Sequence, residues 1–211
     1  MGCASGTDAL ILSLKSLNLK KSDEVIVPAM TYISTGLSVI LNNNKLVYSD
    51  IDKNTGLISI DSVQKNITKN TKVVIPVNLY GQKVNLKKLR KKIGKKIFII
   101  EDSAQSHFAY SCFNCLKTTY NCCKKERNEK YADISCYSFY PSKNLGGYGD
   151  GGLISTNSVK IFKKLLALRN LGSIKKNSHD FYQALHTLLD KYFLLSNELH
   201  TTYSLHVLYF Q

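Results

Sequence analysis

Val73-Val74-Ile75-Pro76-Val77, then Leu86, Leu89 and Ile93 at helical spacing, then Ile97-Phe98-Ile99-Ile100-Glu101-Asp102, reads as strand, helix and strand in quick succession. The same rhythm extends outward in both directions. Upstream, Glu24-Val25-Ile26-Val27-Pro28 is a short buried strand, 33–41 a helix, 45–49 a strand and 61–67 a helix. Before these, 8–19 places Leu10, Ile11, Leu14 and Leu17 on one helical face, with Thr7 in position to cap it. Downstream, the rhythm stops at 111–130, a polar stretch holding Cys112, Cys115, Cys122 and Cys123 that reads as an inserted loop. It resumes with a strand at 134–139, a glycine-rich turn at 146–152, a short strand at 153–155 and a helix at 159–169. A helical pattern at 181–195 and a strand-like 205–210 close the chain. Strands alternating with helices at this spacing imply an α/β fold with a mostly parallel sheet covered by helices. In such sheets ligands bind beyond the carboxyl ends of the strands, and Asp102 stands at one.

The bulk properties narrow the function. In 211 residues, 44% hydrophobic and 21% charged describes a globular chain rather than a disordered one. The formal net charge of +14 raises nucleic-acid binding, but pairs such as Lys20-Lys21, Lys87-Lys88 and Lys91-Lys92 are spread along the chain. No basic stripe interleaved with aromatics is present, so no nucleic-acid partner is expected. No apolar run is long enough to span a bilayer and no signal-peptide pattern opens the chain, so a cytoplasmic protein without membrane contact is expected. The six cysteines then read as reduced thiols. The Cys112/Cys115/Cys122/Cys123 loop includes an adjacent pair, which seldom serves one tetrahedral ion, and no metal site is expected.

Three pieces carry chemistry together. Gly6-Thr7 at a helix start offers backbone N–H groups and the positive end of the helix dipole to a phosphate. Asp102, within Glu101-Asp102-Ser103-Ala104-Gln105, is a carboxylate beside the expected pocket. Ser138-Phe139-Tyr140-Pro141-Ser142-Lys143-Asn144-Leu145-Gly146 puts a lysine just past a strand and ahead of a glycine-rich turn. Taken singly these are a turn, a cap and a solvated lysine.

In order with Asp23-Glu24-Val25-Ile26-Val27-Pro28, Thr31-Tyr32, Leu79-Tyr80-Gly81-Gln82 and Gly149-Asp150-Gly151-Gly152, they form a series that closely resembles the DegT/DnrJ/EryC1/StrS sugar aminotransferases over residues 2–172. The resemblance implies a pyridoxal-phosphate enzyme of fold type I, aspartate aminotransferase-like. Its large domain would span 1–172, and 173–211 would hold a helical segment and a remnant of the small C-terminal domain, which is largely missing here. It implies that Lys143 carries the cofactor as an internal aldimine and shuttles the proton, and that Asp102 pairs with the pyridine nitrogen. Tyr32 would stack on the ring and Gln105 would lie near its hydroxyl. Gly6, Thr7 and Ser138 would hold the phosphate, and Asn177 would keep a role in a partner subunit's phosphate site, with His179 where the family has arginine. Relatives that dehydrate sugars carry histidine at the lysine position, so Lys143 favours transamination. The implied reaction moves an amino group, from glutamate, to a nucleotide-linked keto-deoxysugar in a homodimer. The shortened ends leave one other reading, a truncated and catalytically silent relative that acts as a binding protein or is a decaying gene product.

Overall fold

The computed structural model describes residues 1–107, 109 and 130–170. Residues 111–129 of the loop expected at 111–130, the site residue Asn177, and the helix and strand proposed for 173–211 lie outside the described residues. The described chain runs β1 (Gly2–Cys3), α1 (Gly6–Ser16), β2 (Glu24–Pro28), α2 (Ile33–Leu41), β3 (Lys45–Ser49), α3 (Ile60–Asn66) and β4 (Thr71–Val74). A 3-10 turn (Leu79–Gly81), α4 (Leu86–Ile93), β5 (Phe98–Asp102), β6 (Ile134–Ser138), β7 (Gly152–Ser155) and α5 (Val159–Arg169) complete it.

One seven-stranded sheet results, in the order β1-β7-β6-β5-β4-β2-β3. The run from β3 to β6 is parallel, whereas β7 and β1 are antiparallel at one edge. The sheet is therefore mostly parallel, as the strand–helix rhythm implies. Alternation along each strand sends neighbours to opposite faces. Val25, Val27, Val73, Ile75 and Ile100 pack with Ala9, Leu10 and Leu14 of α1, Val39 of α2 and Leu165 of α5. Ile26, Val74 and Ile99 pack with Val63 of α3 and Leu86, Leu89 and Ile93 of α4. Both faces are covered, which is why the strands carry continuous apolar runs.

Three details depart from the sequence reading. The cap of α1 is Ser5, whose hydroxyl accepts from the Asp8 N–H at 3.1 Å, while Thr7 already lies inside the helix and shares a 2.7 Å hydrogen bond with Ser34. Ser5 has the extended backbone that a cap needs, at φ −156° and ψ 170°. The strand expected to reach residue 77 ends at Val74, because Pro76 has no N–H for the ladder. Its carbonyl still accepts from the Asp102 N–H at 2.9 Å, so the backbone stays tied to β5. Finally, β1 and the 3-10 turn are too short to leave a pattern, yet β1 pairs with β7 and brings the chain start onto the sheet.

From β2 the chain steps outward to β3, then returns across β2 to β4 and β5. Connections leaving in opposite directions open a crevice at the carboxyl ends of the strands. The segments after β2 and β4 and the start of α1 border it.

Candidate active site

A cleft of about 450 Å³ occupies that crevice. Gly6, Thr7, Tyr32, Asp102, Gln105, Ser138 and Lys143, drawn from four separate stretches of sequence, all line it. Every proposed site residue among the described residues is thus brought to one place. The sequence reading missed Ser5, Thr31, Ser34, Thr35, Tyr140, Ser142 and Asp150, which line it too.

The floor is Asp102, last residue of β5 and 6% exposed. Its Oδ1 accepts from the Ala104 N–H at 3.1 Å and its Oδ2 from the Thr35 hydroxyl at 3.2 Å. Because Thr35 donates there, the 2.9 Å bond between Thr31 and Thr35 has Thr31 as donor, and a relay of hydroxyls ends on the carboxylate. Burial pushes the Asp102 carboxyl above its usual range, and the Ala104 and Thr35 bonds and the positive charge of Lys143 offset only part of that. Thr35 had a sequence signal of a kind, standing one helical turn after Thr31.

One wall is the start of α1. Ser5 occupies the Asp8 and Ala9 N–H groups, which leaves those of Gly6 and Thr7 without a partner among the described residues. A Cβ on Gly6 would lie 2.6 Å from the Cβ of Ser138, so only glycine lets the helix start close on the end of β6. The Ser138 hydroxyl accepts from the Tyr140 N–H at 3.3 Å, which keeps its own proton free to donate into the cleft. The turn after β6 carries Lys143, anchored by its N–H on the Tyr140 carbonyl at 2.9 Å. Tyr32 caps α2 and is 69% exposed at the mouth. Gln105 is oriented by the Tyr80 N–H, which donates to its Oε1 at 2.9 Å; Tyr80 has φ +55° to make this reach.

His107 belongs elsewhere. It lines a second cavity, about 570 Å³, on the opposite face of β6 and β7, with its ring against Tyr137 and Phe139. Cys136 is buried beneath α1 at 3.2 Å from the Ser13 hydroxyl, and burial pushes its thiol up, so it stays neutral. Cys3 is half-buried.

A sequence model described as the DegT/DnrJ/EryC1/StrS aminotransferase family matches residues 1–193. The chain belongs to that family. Among similar proteins, a UDP-N-acetyl-3-dehydro-α-D-glucosamine 3-aminotransferase of Acidithiobacillus ferrooxidans is 38% identical over 183 residues, covering 85% of this chain and 46% of the relative. A UDP-2-acetamido-2-deoxy-3-oxo-D-glucuronate aminotransferase of Pseudomonas aeruginosa is 37% identical, covering 85% and 47%. Among solved structures, DesV of Streptomyces venezuelae in complex with a ketimine intermediate superposes with a TM-score of 0.72 at 32% identity, covering 93% of this chain and 52% of that one. A Bacillus subtilis structure, NtdA with bound cofactor PMP, gives 0.73 at 31% identity, covering 84% and 38%. The family member's α/β architecture is the one seen here. The chain spans about half the length of the curated relatives it matches.

Proposed function

We propose that this chain carries the pyridoxal-phosphate site of an aminotransferase acting on a nucleotide-linked keto-deoxysugar, with glutamate as amino donor. The observation that carries the reading is the convergence of Lys143, Asp102, Ser138 and the Gly6-Thr7 helix start on one cleft. Each relative named above as an aminotransferase acts, by its name, on a nucleotide-linked sugar.

The residues fit the cofactor. The N–H groups of Gly6 and Thr7 and the Ser138 hydroxyl form a donor set for a phosphate at the positive end of a helix. Asp102 is a buried carboxylate with an acidity already weakened by burial, which suits a partner that brings its own positive charge, such as a protonated ring nitrogen. When bound, pyridoxal phosphate supplies an aldehyde carbon and an electron-withdrawing ring. Lys143, which lines the cleft, would hold that carbon through its amine and would serve as the base that moves a proton. Asp102, held in place by Thr35 and Ala104, would keep the ring nitrogen protonated, and Tyr32 at the mouth would cover the ring. Gln105, fixed by the Tyr80 N–H, contributes a side-chain amide from the opposite wall.

We further propose a homodimer, with Asn177 reaching the partner's phosphate site, a large domain at 1–172 followed by a second segment at 173–211, and a cytoplasmic setting. No helix among the described residues is long and apolar enough to cross a membrane.

The deciding test is an absorbance titration of the purified protein with pyridoxal phosphate. A visible band that appears with the native protein and is absent in Lys143→Ala is expected. No band with the folded native protein would overturn the reading and leave the silent relative.

A further inference from the structure

The helix α2 inverts the usual arrangement of a surface helix, which turns its large apolar side chains inward and its polar ones to water. Its buried residues are Thr35, Gly36, Ser38 and Val39, mostly small or polar. Its outer face carries Ile33, Leu37 and Ile40, which are 71%, 38% and 57% exposed. These three recur at i, i+4 and i+7 and so form one stripe. The inner face has its own reason to be polar: Thr35 donates to Asp102, and the Ser38 hydroxyl donates to the Thr35 carbonyl at 2.8 Å. Nothing on that side accounts for the outer stripe.

Two aromatic side chains extend it. Tyr32 stands at the head of the helix and is exposed at the cleft mouth. Tyr48 of β3, also exposed, lies alongside, since a Cβ on Gly36 would stand 3.5 Å from its hydroxyl oxygen. A contiguous apolar patch left on the surface of a folded chain marks a site of association.

Charge tells what the patch associates with. From Val25 to Asn44 the chain carries no charged residue, the longest such run in a chain of net charge +14. Of the α-helices among the described residues, only α2 has none, whereas α4 and α5 are rich in lysine. An acidic partner would be drawn to those lysines. A second copy of this chain is repelled by them and can approach only at a neutral face.

We propose that the Ile33/Leu37/Ile40 stripe is where a second copy of this chain docks, α2 against α2 about a two-fold axis, with Asn42, Asn43 and Asn44 as an uncharged polar rim. The inference rests on the homodimer reading above and names its surface; it does not depend on what the cleft binds. Because Tyr32 belongs both to the patch and to the cleft wall, the contact brings the partner copy to the mouth of the cleft.

The test is sedimentation equilibrium of the whole chain over a range of concentrations, comparing native, Ile33→Glu/Ile40→Glu and, as a control, Val159→Glu on the exposed side of α5. None of these residues lines the cleft. The native chain should dimerise. The double variant should raise the dimer dissociation constant at least about 30-fold, since each substitution enters a two-fold contact twice. Val159→Glu should leave it unchanged. Added salt should tighten the native dimer, because it screens the repulsion between two +14 chains and the contact itself is uncharged. An undiminished dimer in the double variant would overturn this surface and leave the homodimer reading standing. A native chain that is monomeric at every concentration would overturn both. A dimer weakened by salt would mean an ionic contact and would also overturn the proposal. If the double variant does not fold, Ile40→Lys alone, at the far end of the helix from Tyr32, is judged by the same shift.

Discussion

Asp102 and Glu101 are adjacent on β5 and both are buried, but the two faces of the sheet treat them in opposite ways. Behind the sheet, Glu101 is met by an ammonium, an amide and a hydroxyl. In front, Asp102 is met by one hydroxyl and one backbone N–H, and the nearest cation, Lys143, belongs to the cleft's own chemistry. A buried charge left short of partners costs stability, and it persists where a ligand completes it. The rear face holds the framework together and the front face holds a place open. Substitutions in front should accordingly change binding and turnover at little cost in stability, and substitutions behind should do the reverse.

The largest expected effect is at the front. Asp102→Asn keeps the shape and the bond from the Ala104 N–H, removes the charge, and turns the Thr35 bond around, since an amide nitrogen donates where the carboxylate oxygen accepted. We expect at least about a 100-fold loss in transamination rate, the scale of deleting one preorganised electrostatic group, followed as the half-reaction with glutamate. Stability without cofactor should move the other way. The native Asp102 is raised by burial, so the folded state binds more protons than the unfolded state between the two pKa values. Stability therefore falls as pH rises from the unfolded carboxylate value through the folded one, and that penalty is present at neutral pH. Asp102→Asn should remove it, raising the cofactor-free melting temperature by about 2–4 °C for each kcal/mol recovered in a chain of this size. The difference should shrink as pH is lowered toward about 4. A lower melting temperature at pH 7 with an unchanged half-reaction would break the comparison at its centre.

The matching change behind the sheet is Asn78→Ala. It removes bonds to Glu101, Ser103 and Val84 at once and should cost about 2–4 kcal/mol, read by urea denaturation. Asn78 does not line the cleft, so cofactor affinity measured under folding conditions should stay within about threefold of native. A tenfold drop in affinity would place Asn78 with the site rather than with the framework.

Much of this division was legible in the sequence. The bounds of α2 and β3 follow from local pattern alone, because apolar spacing and period were strong there. The cleft residues were legible only as an ordered series, since Lys143 past a strand and Gly6 before a helix mean little singly. The rear network was not legible. Lys83 sits in a segment with many lysines, and nothing local distinguishes the one that is buried from those in solvent. Its burial depends on β5 bringing Glu101 beside the segment between β4 and α4, a contact between residues 18 positions apart. The cap of α1 was misassigned for a related reason. Ser5 and Thr7 are both good capping residues, and it is the pairing of β1 with β7 that sets where the helix begins.

The smallest expected effect lies at the front again and measures how finely the open charge is tuned. Thr35→Val preserves shape, and Thr35 is buried, so the change mainly deletes the hydroxyl that donates to Asp102 Oδ2 and accepts from Thr31. Losing that donor removes one of the few groups favouring the ionised form, so the Asp102 carboxyl should rise further. One hydrogen bond to a charged group contributes about 1.5–3 kcal/mol at most and a neutral one about 0.5–1.5 kcal/mol. At 3.2 Å the lower range is the better guide, giving roughly a 2- to 12-fold loss in cofactor affinity at neutral pH. The loss should appear on the acid side, where native Asp102 is ionised and the variant's is not, and vanish at high pH where both are ionised. A loss of equal size at every pH would mean that Thr35 acts on the cleft by a route other than the charge of Asp102.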